Sequence, residues 1–92
     1  MIYTVLFEGK ALKDIKKMTA SGNKGDVIKL ESMLEELKFH PYRGTGHPEP
    51  LKHQLVGYWS RRINKKDRLV YQVIEEPDKY VVIISALGHY FD

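Results

Sequence analysis

The chain contains no cysteine. Disulfide frameworks, thiolate zinc sites and a cysteine nucleophile are therefore excluded, while the redox compartment stays open in a way that fits a cytosolic protein. Long hydrophobic runs are also missing. The N-terminal run from Ile2 to Phe7 is six residues, far short of the roughly 20 needed to span a bilayer. No basic leader or small-residue cleavage site accompanies it, so the expectation is a soluble, cytoplasmic protein with no membrane partner. Low-complexity segments and internal repeats are absent as well. The four histidines, His40, His47, His53 and His89, lack HxxxH-type spacing and have no cysteine to complete a tetrahedral set, so neither a metal nor another cofactor is expected. Negative charge is scarce in one stretch: residues 38–68 hold only Glu49 and Asp67 against eight Lys/Arg, a local charge of +6, while the rest of the chain is −3. The overall charge of +3 thus conceals one basic region, the electrostatic footprint of a phosphate-backbone binder.

The 92 residues, with 42% hydrophobic content, suffice for a single domain over residues 1–92. Ile2 to Phe7 mixes β-branched and aromatic residues and stops at Gly9, as a short strand should. Ala11, Leu12, Ile15 and Met18 recur at helical spacing within Lys10 to Met18, with lysines on the other face. After the breaker cluster Ser21 to Gly25, the stripe Val27, Leu30, Leu34 and Leu37 predicts a second, longer helix that ends before Pro41. Pro41, Gly44, Gly46, Pro48 and Pro50 make 39–52 a long surface loop. Three strand-like segments follow, Gln54 to Ile63, Arg68 to Glu76 and Lys79 to Tyr90, separated by polar turns. The order βααβββ predicts an α+β domain with a two-helix hairpin on one face of a mainly antiparallel four-stranded sheet. The doubly apolar last strand is placed centrally, and the other face is free to curve around a ligand.

Cleaving RNA without a metal needs a base for the 2′-hydroxyl proton, cations for the phosphorane charge and an acid for the departing 5′-oxygen. Glu49, set among Lys52, Arg62 and Arg68, can serve as the base. His89, at the end of the last predicted strand, can serve as the acid. Tyr58, Trp59, Tyr71 and Tyr90 are interleaved with the cations and can stack on splayed bases. Each residue also has a purely structural reading: Glu49 as a solvated loop residue, Arg61 and Arg62 as a solvated strand edge, Trp59 as core. Successive strand residues face opposite ways, so only one of Arg61 and Arg62 can point into a given site. A non-catalytic RNA or ribosomal-RNA binder uses the same cations as phosphate clamps and remains the main alternative. A structural partner of the same fold is a second.

The strings HPEPLKH (47–53), GYWSRRI (57–63), DRLVY (67–71) and the closing HY (89–90) closely resemble the Txe/YoeB family of bacterial toxins, part of the RelE-like superfamily. Four ordered blocks over roughly residues 40–90 are far more specific than any one of them. The resemblance implies a ribosome-dependent mRNA endoribonuclease held inactive by a cognate antitoxin, with ribosome and mRNA as further partners and a homodimer left open. It implies Glu49 as general base, His89 as general acid, Arg68 as the phosphate-stabilising arginine and Tyr90 as the near-terminal tyrosine. Lys52 and Arg62 fall beside the substrate phosphate, with Arg61 and Trp59 as further candidate substrate contacts. The chain departs from the family pattern in the Phe91-Asp92 tail, the SGNKG spacer and the EEPDKY turn.

Overall fold

The computed structural model describes residues 2–88. Strand β1 (Thr4–Phe7) leads into helix α1 (Gly9–Ser21) and helix α2 (Lys24–Leu37). A two-residue strand β2 (Glu49–Pro50), a 3₁₀ turn (His53–Leu55) and the strands β3 (Tyr58–Arg62), β4 (Arg68–Ile74) and β5 (Tyr80–Ser85) complete the order. The sheet has five strands in the order β1-β5-β4-β3-β2, with β1 parallel to β5 and the other pairings antiparallel. The α+β class and the helical hairpin are as the periodicity predicts. The additional strand is β2: Glu49 pairs with Ser60 and Pro50 with Trp59, so the proline-rich loop ends as a sheet edge. Proline is tolerated there because an edge strand need not donate on both sides. The last strand is interior, flanked by β1 and β4.

Several element boundaries move for local reasons. Only Gly22 and Asn23 separate the helices. The Asn23 side chain accepts the Asp26 N–H at 2.8 Å and so starts α2 from within the expected spacer. Strand β3 begins at Tyr58 rather than Gln54, because His53–Leu55 close a 3₁₀ turn.

Both helices pack on one face of the sheet. Ala11 and Met18 of α1 and Leu30, Met33 and Leu37 of α2 cover Leu69, Tyr71, Val81 and Ile83, all almost fully buried. Strand alternation turns Ser60, Arg62, Arg68 and Val70 to the opposite, open face. At its end β5 breaks that alternation. Val70 pairs with Ser85 while Tyr71 pairs with Ile83, a bulge that re-aims the residues beyond it.

The leg that leaves the bulge is held by two carboxylates. Asp14 of α1 accepts the N–H of Ala86 at 3.0 Å and of Leu87 at 3.3 Å, together with Lys10 Nζ at 2.7 Å. Asp67 accepts the N–H of Gly88 at 2.8 Å, and the Gly88 carbonyl accepts the N–H of Arg68 at 3.2 Å. Burial opposes the charge of Asp14, but the hydrogen bonds from Lys10, Ala86 and Leu87 outweigh it and hold its pKa below the ordinary carboxylate value. A depressed folded-state pKa adds stability that is present above the unfolded pKa and lost as pH falls through the folded value. Urea midpoints followed from ~pH 7 to ~pH 2.5 are thus expected to fall, and to fall less steeply in Asp14→Asn. Equal slopes in the two proteins would show that this carboxylate is not a source of the acid sensitivity.

Candidate active site

The loop between α2 and β2 is fastened from beneath by Arg61. Its guanidinium is fully buried. Nη1 donates to Glu36 Oε1 at 2.8 Å and to the Thr45 carbonyl at 3.3 Å, and Nη2 donates to the carbonyls of His40 at 2.6 Å and Arg43 at 2.9 Å. Nε donates to the Tyr71 hydroxyl at 3.2 Å, which itself donates to the Pro41 carbonyl at 2.7 Å. Glu36 completes the fastening by accepting the Thr45 N–H at 2.8 Å and its hydroxyl at 2.5 Å. Burial opposes ionisation of Glu36, yet the bonds from Thr45 and Arg61 prevail and lower its pKa. Gly44 and Gly46, at φ +126° and +88°, let the backbone pass close over Glu36 and Met33, where a Cβ would collide.

This fastening sets the entry of β2 and hence of Glu49. The Gly46 carbonyl accepts the Arg62 N–H at 2.6 Å, and the β2–β3 pairing continues to Glu49 opposite Ser60. On the open face Glu49 Oε1 lies 3.5 Å from Arg68 Nη1, with the Glu49 side chain half exposed and that of Arg68 largely covered. Arg62 stands directly opposite Arg68 in the β3–β4 ladder. A carboxylate and two guanidinium groups thus share one rigid surface. Between them, the buried Ser60 hydroxyl has no hydrogen-bond partner among the described residues. Lys52, two residues past β2, is exposed.

Three expectations need correction. Arg61 is no substrate contact, because its alternation turns it beneath the sheet, where every polar atom of the guanidinium faces protein. Trp59 lies on that same helix-side face, packed on the core and against Tyr42 with ring centroids 5.1 Å apart, away from Glu49. Tyr71 is wholly buried and offers no stacking surface. The proposed acid His89, Tyr90 and the Phe91-Asp92 tail lie outside the described residues. The chain before them is fixed at Gly88 by Asp67 and Arg68. Among the described residues no three His, Asp or Glu side chains are grouped so as to hold a metal ion.

Sequence reasoning missed Asp14 and Glu36. Asp14 left a signal, since it interrupts the stripe of Ala11, Ile15 and Met18 at the spacing of a core position. Glu36 left none, because its partner is 25 residues away. At the far edge, Glu75 accepts from Tyr3, Tyr42 and Lys79, and these partners, Lys79 foremost, lower its pKa to about 2.

A helical hairpin on one face of a mixed sheet, with a Glu–Arg pair on the other, defines a small toxin-like α+β domain of the RelE type. Residues 7–90 match the YoeB-like toxins of bacterial type II toxin-antitoxin systems, and the chain belongs to that family. It is 41% identical to Toxin YoeB of Escherichia coli strain K12 over 64 residues, 70% of this chain and 73% of that protein. It is 36% identical to Toxin RelK of Mycobacterium tuberculosis over 87 residues, 95% of this chain and 98% of that protein. A solved YoeB/ParE toxin from Agrobacterium tumefaciens superposes with TM-score 0.84 at 30% identity, covering 95% of this chain and 99% of that one. The YoeB-YefM complex from Staphylococcus aureus superposes with TM-score 0.78 at 35% identity, covering 98% and 100%. No helix among the described residues is long and apolar enough to cross a membrane.

Proposed function

We infer that this toxin is an mRNA endoribonuclease that acts in the ribosomal decoding site, by general acid and base catalysis without a metal. The observation that carries this reading is the Glu49–Arg68 contact at 3.5 Å on a rigid sheet face, with Arg62 opposite Arg68 in the ladder. Glu49 takes the proton of the 2′-hydroxyl, whose oxygen attacks the adjacent phosphorus. Charge developing on the phosphorane oxygens is met by Arg68 and Arg62, preorganised by their strands, with Lys52 adding positive potential at the rim. As the bond to the 5′-oxygen breaks, that oxygen receives a proton from His89, leaving a cyclic phosphate that can open to a 3′-phosphate, and a 5′-hydroxyl end. Tyr90 completes the set of residues that the family resemblance assigns to chemistry.

A basic face suited to phosphates also attracts carboxylates, so a cognate antitoxin is assigned to cover it. The complex of the staphylococcal relative with YefM supports that assignment, and the solved dimer of the same relative supports self-association of this chain. The test is expression of the chain alone in a bacterial host, with and without the antitoxin gene. Growth arrest with mRNA cleavage on ribosomes is expected, relieved by the antitoxin. Unimpaired growth at verified soluble expression would count against the reading.

A further inference from the structure

Beyond the Glu49–Arg68 face, the rim of the sheet holds a cleft of about 370 Å³ lined by Lys29 of α2, Gly46 and His47 of the loop, and Arg62 of β3. Among the described residues no carboxylate and no apolar side chain lines it. Among the described residues neither Lys29 nor Arg62 has an ion-pair partner within 4.0 Å. Asp26, one turn before Lys29 on α2, is engaged instead by Asn64 Nδ2 at 2.8 Å. His47 lies at φ +58°, in the left-handed region that a non-glycine residue rarely occupies. Such strain persists where surrounding structure imposes it, and it collects at binding sites. Here the Arg61 fastening and the Gly46–Arg62 hydrogen bond impose it.

We propose that the Lys29–His47–Arg62 cleft is a phosphodiester subsite, holding a backbone phosphate of the RNA chain away from the scissile bond. The proposal rests on the nuclease reading above. Arg62 joins the two places, since it faces Arg68 across the ladder and also lines the cleft. An RNA strand whose reacting phosphate sits at Glu49 and Arg68 would place a neighbouring phosphate at the rim. Cations and a ring N–H with no apolar neighbour suit a phosphate, whereas a peptide segment would need an apolar anchor beside its carboxylates. Such a contact sets the register of the strand without reading its bases.

The experiment measures binding of a short single-stranded oligonucleotide, 2′-deoxy at every position so that it cannot be cleaved, over a range of salt concentration. Cleavage of ribosome-bound mRNA is assayed in parallel on the same proteins. For a single strand the slope of log K against log salt is about −0.7 per neutralised phosphate. The Lys29→Ala, His47→Gln double variant is expected to bind several-fold more weakly and to lose about 0.7 of that slope. Lys13→Ala, an equal charge loss on the exposed face of α1, should leave the slope unchanged. An unchanged slope in the double variant, beside a wild type that binds and cleaves, would overturn the subsite and leave the nuclease reading standing. Weaker binding of the double variant to the antitoxin with RNA binding unaltered would also overturn it, in favour of a protein contact. A wild type that binds with the expected slope but does not cleave, with the double variant weakened, would keep the subsite and defeat the nuclease reading. A wild type that binds no oligonucleotide would overturn both.

Discussion

Replacing Arg61 with alanine should cost about 3–5 kcal/mol of folding stability, the usual penalty for removing one partner of a buried ion pair. The loss is large because the carbonyls of His40, Arg43 and Thr45 would lose this donor, and the Glu36 carboxylate would keep only its bonds from Thr45. Each buried acceptor left without a donor costs about 1–3 kcal/mol, and the terms do not simply add. Against a total stability of about 5–15 kcal/mol, most of the folded population is at stake. Arg61→Lys should not rescue it, since a single ammonium cannot donate along the several directions of a planar fork. Arg62→Ala, exposed on the opposite face, should change stability by no more than about 0.5 kcal/mol. Urea unfolding followed by circular dichroism measures all three. A wild-type midpoint in Arg61→Lys would show that the fastening is dispensable.

Glu49→Gln should fold normally, because the side chain is half exposed and its ion pair with Arg68 is long at 3.5 Å, and yet lose about 10²–10⁴ in single-turnover cleavage of ribosome-bound mRNA. The glutamine keeps the shape and cannot take the proton. Arg68→Ala removes a preorganised cation from the developing charge and should cost about 10²–10³. The two variants are told apart by binding. Ribosome and RNA affinity should survive Glu49→Gln and fall in Arg68→Ala, which on the proposed mechanism removes a phosphate contact as well. Full cleavage by Glu49→Gln would remove the base from the mechanism, and strict dependence on added divalent metal, with ribosome integrity controlled, would replace it with a metal-assisted one.

The parts of the fold that were legible in the sequence are those set by local periodicity. The stripe Val27, Leu30, Leu34, Leu37 defines α2, and the doubly apolar Val81 to Ile84 defines an interior strand. The basic region around Glu49 was legible because charge is countable without coordinates. What stayed hidden depends on which way a strand residue faces and on who meets it. Arg61 and Arg62 are neighbours in sequence, and alternation sends one beneath the sheet and the other to the rim. Choosing between them requires knowing that Glu36, 25 residues earlier, waits on the helix side. Strand β2 escaped notice because two residues between prolines carry no periodic signal, and its pairing exists only where Arg61 has drawn the loop down.

The pairing of β1 with β5 joins nearly the two ends of the described chain, Thr4 opposite Tyr80 and Phe7 opposite Ile83. During synthesis the first strand to emerge is therefore the last to gain a neighbour, and long-range pairings of this kind are slow to form. Until the final residues appear, α1 carries an Asp14 with no amides to receive, and Asp67 has no Gly88. On a growing chain the same two carboxylates thus have only their local partners, Lys10 for Asp14 and Asn64 for Asp67. Completion of the sheet and placement of the Ala86–Gly88 leg are one event, so on the nuclease reading proposed above a growing chain is expected to stay inactive until β5 has paired with β1.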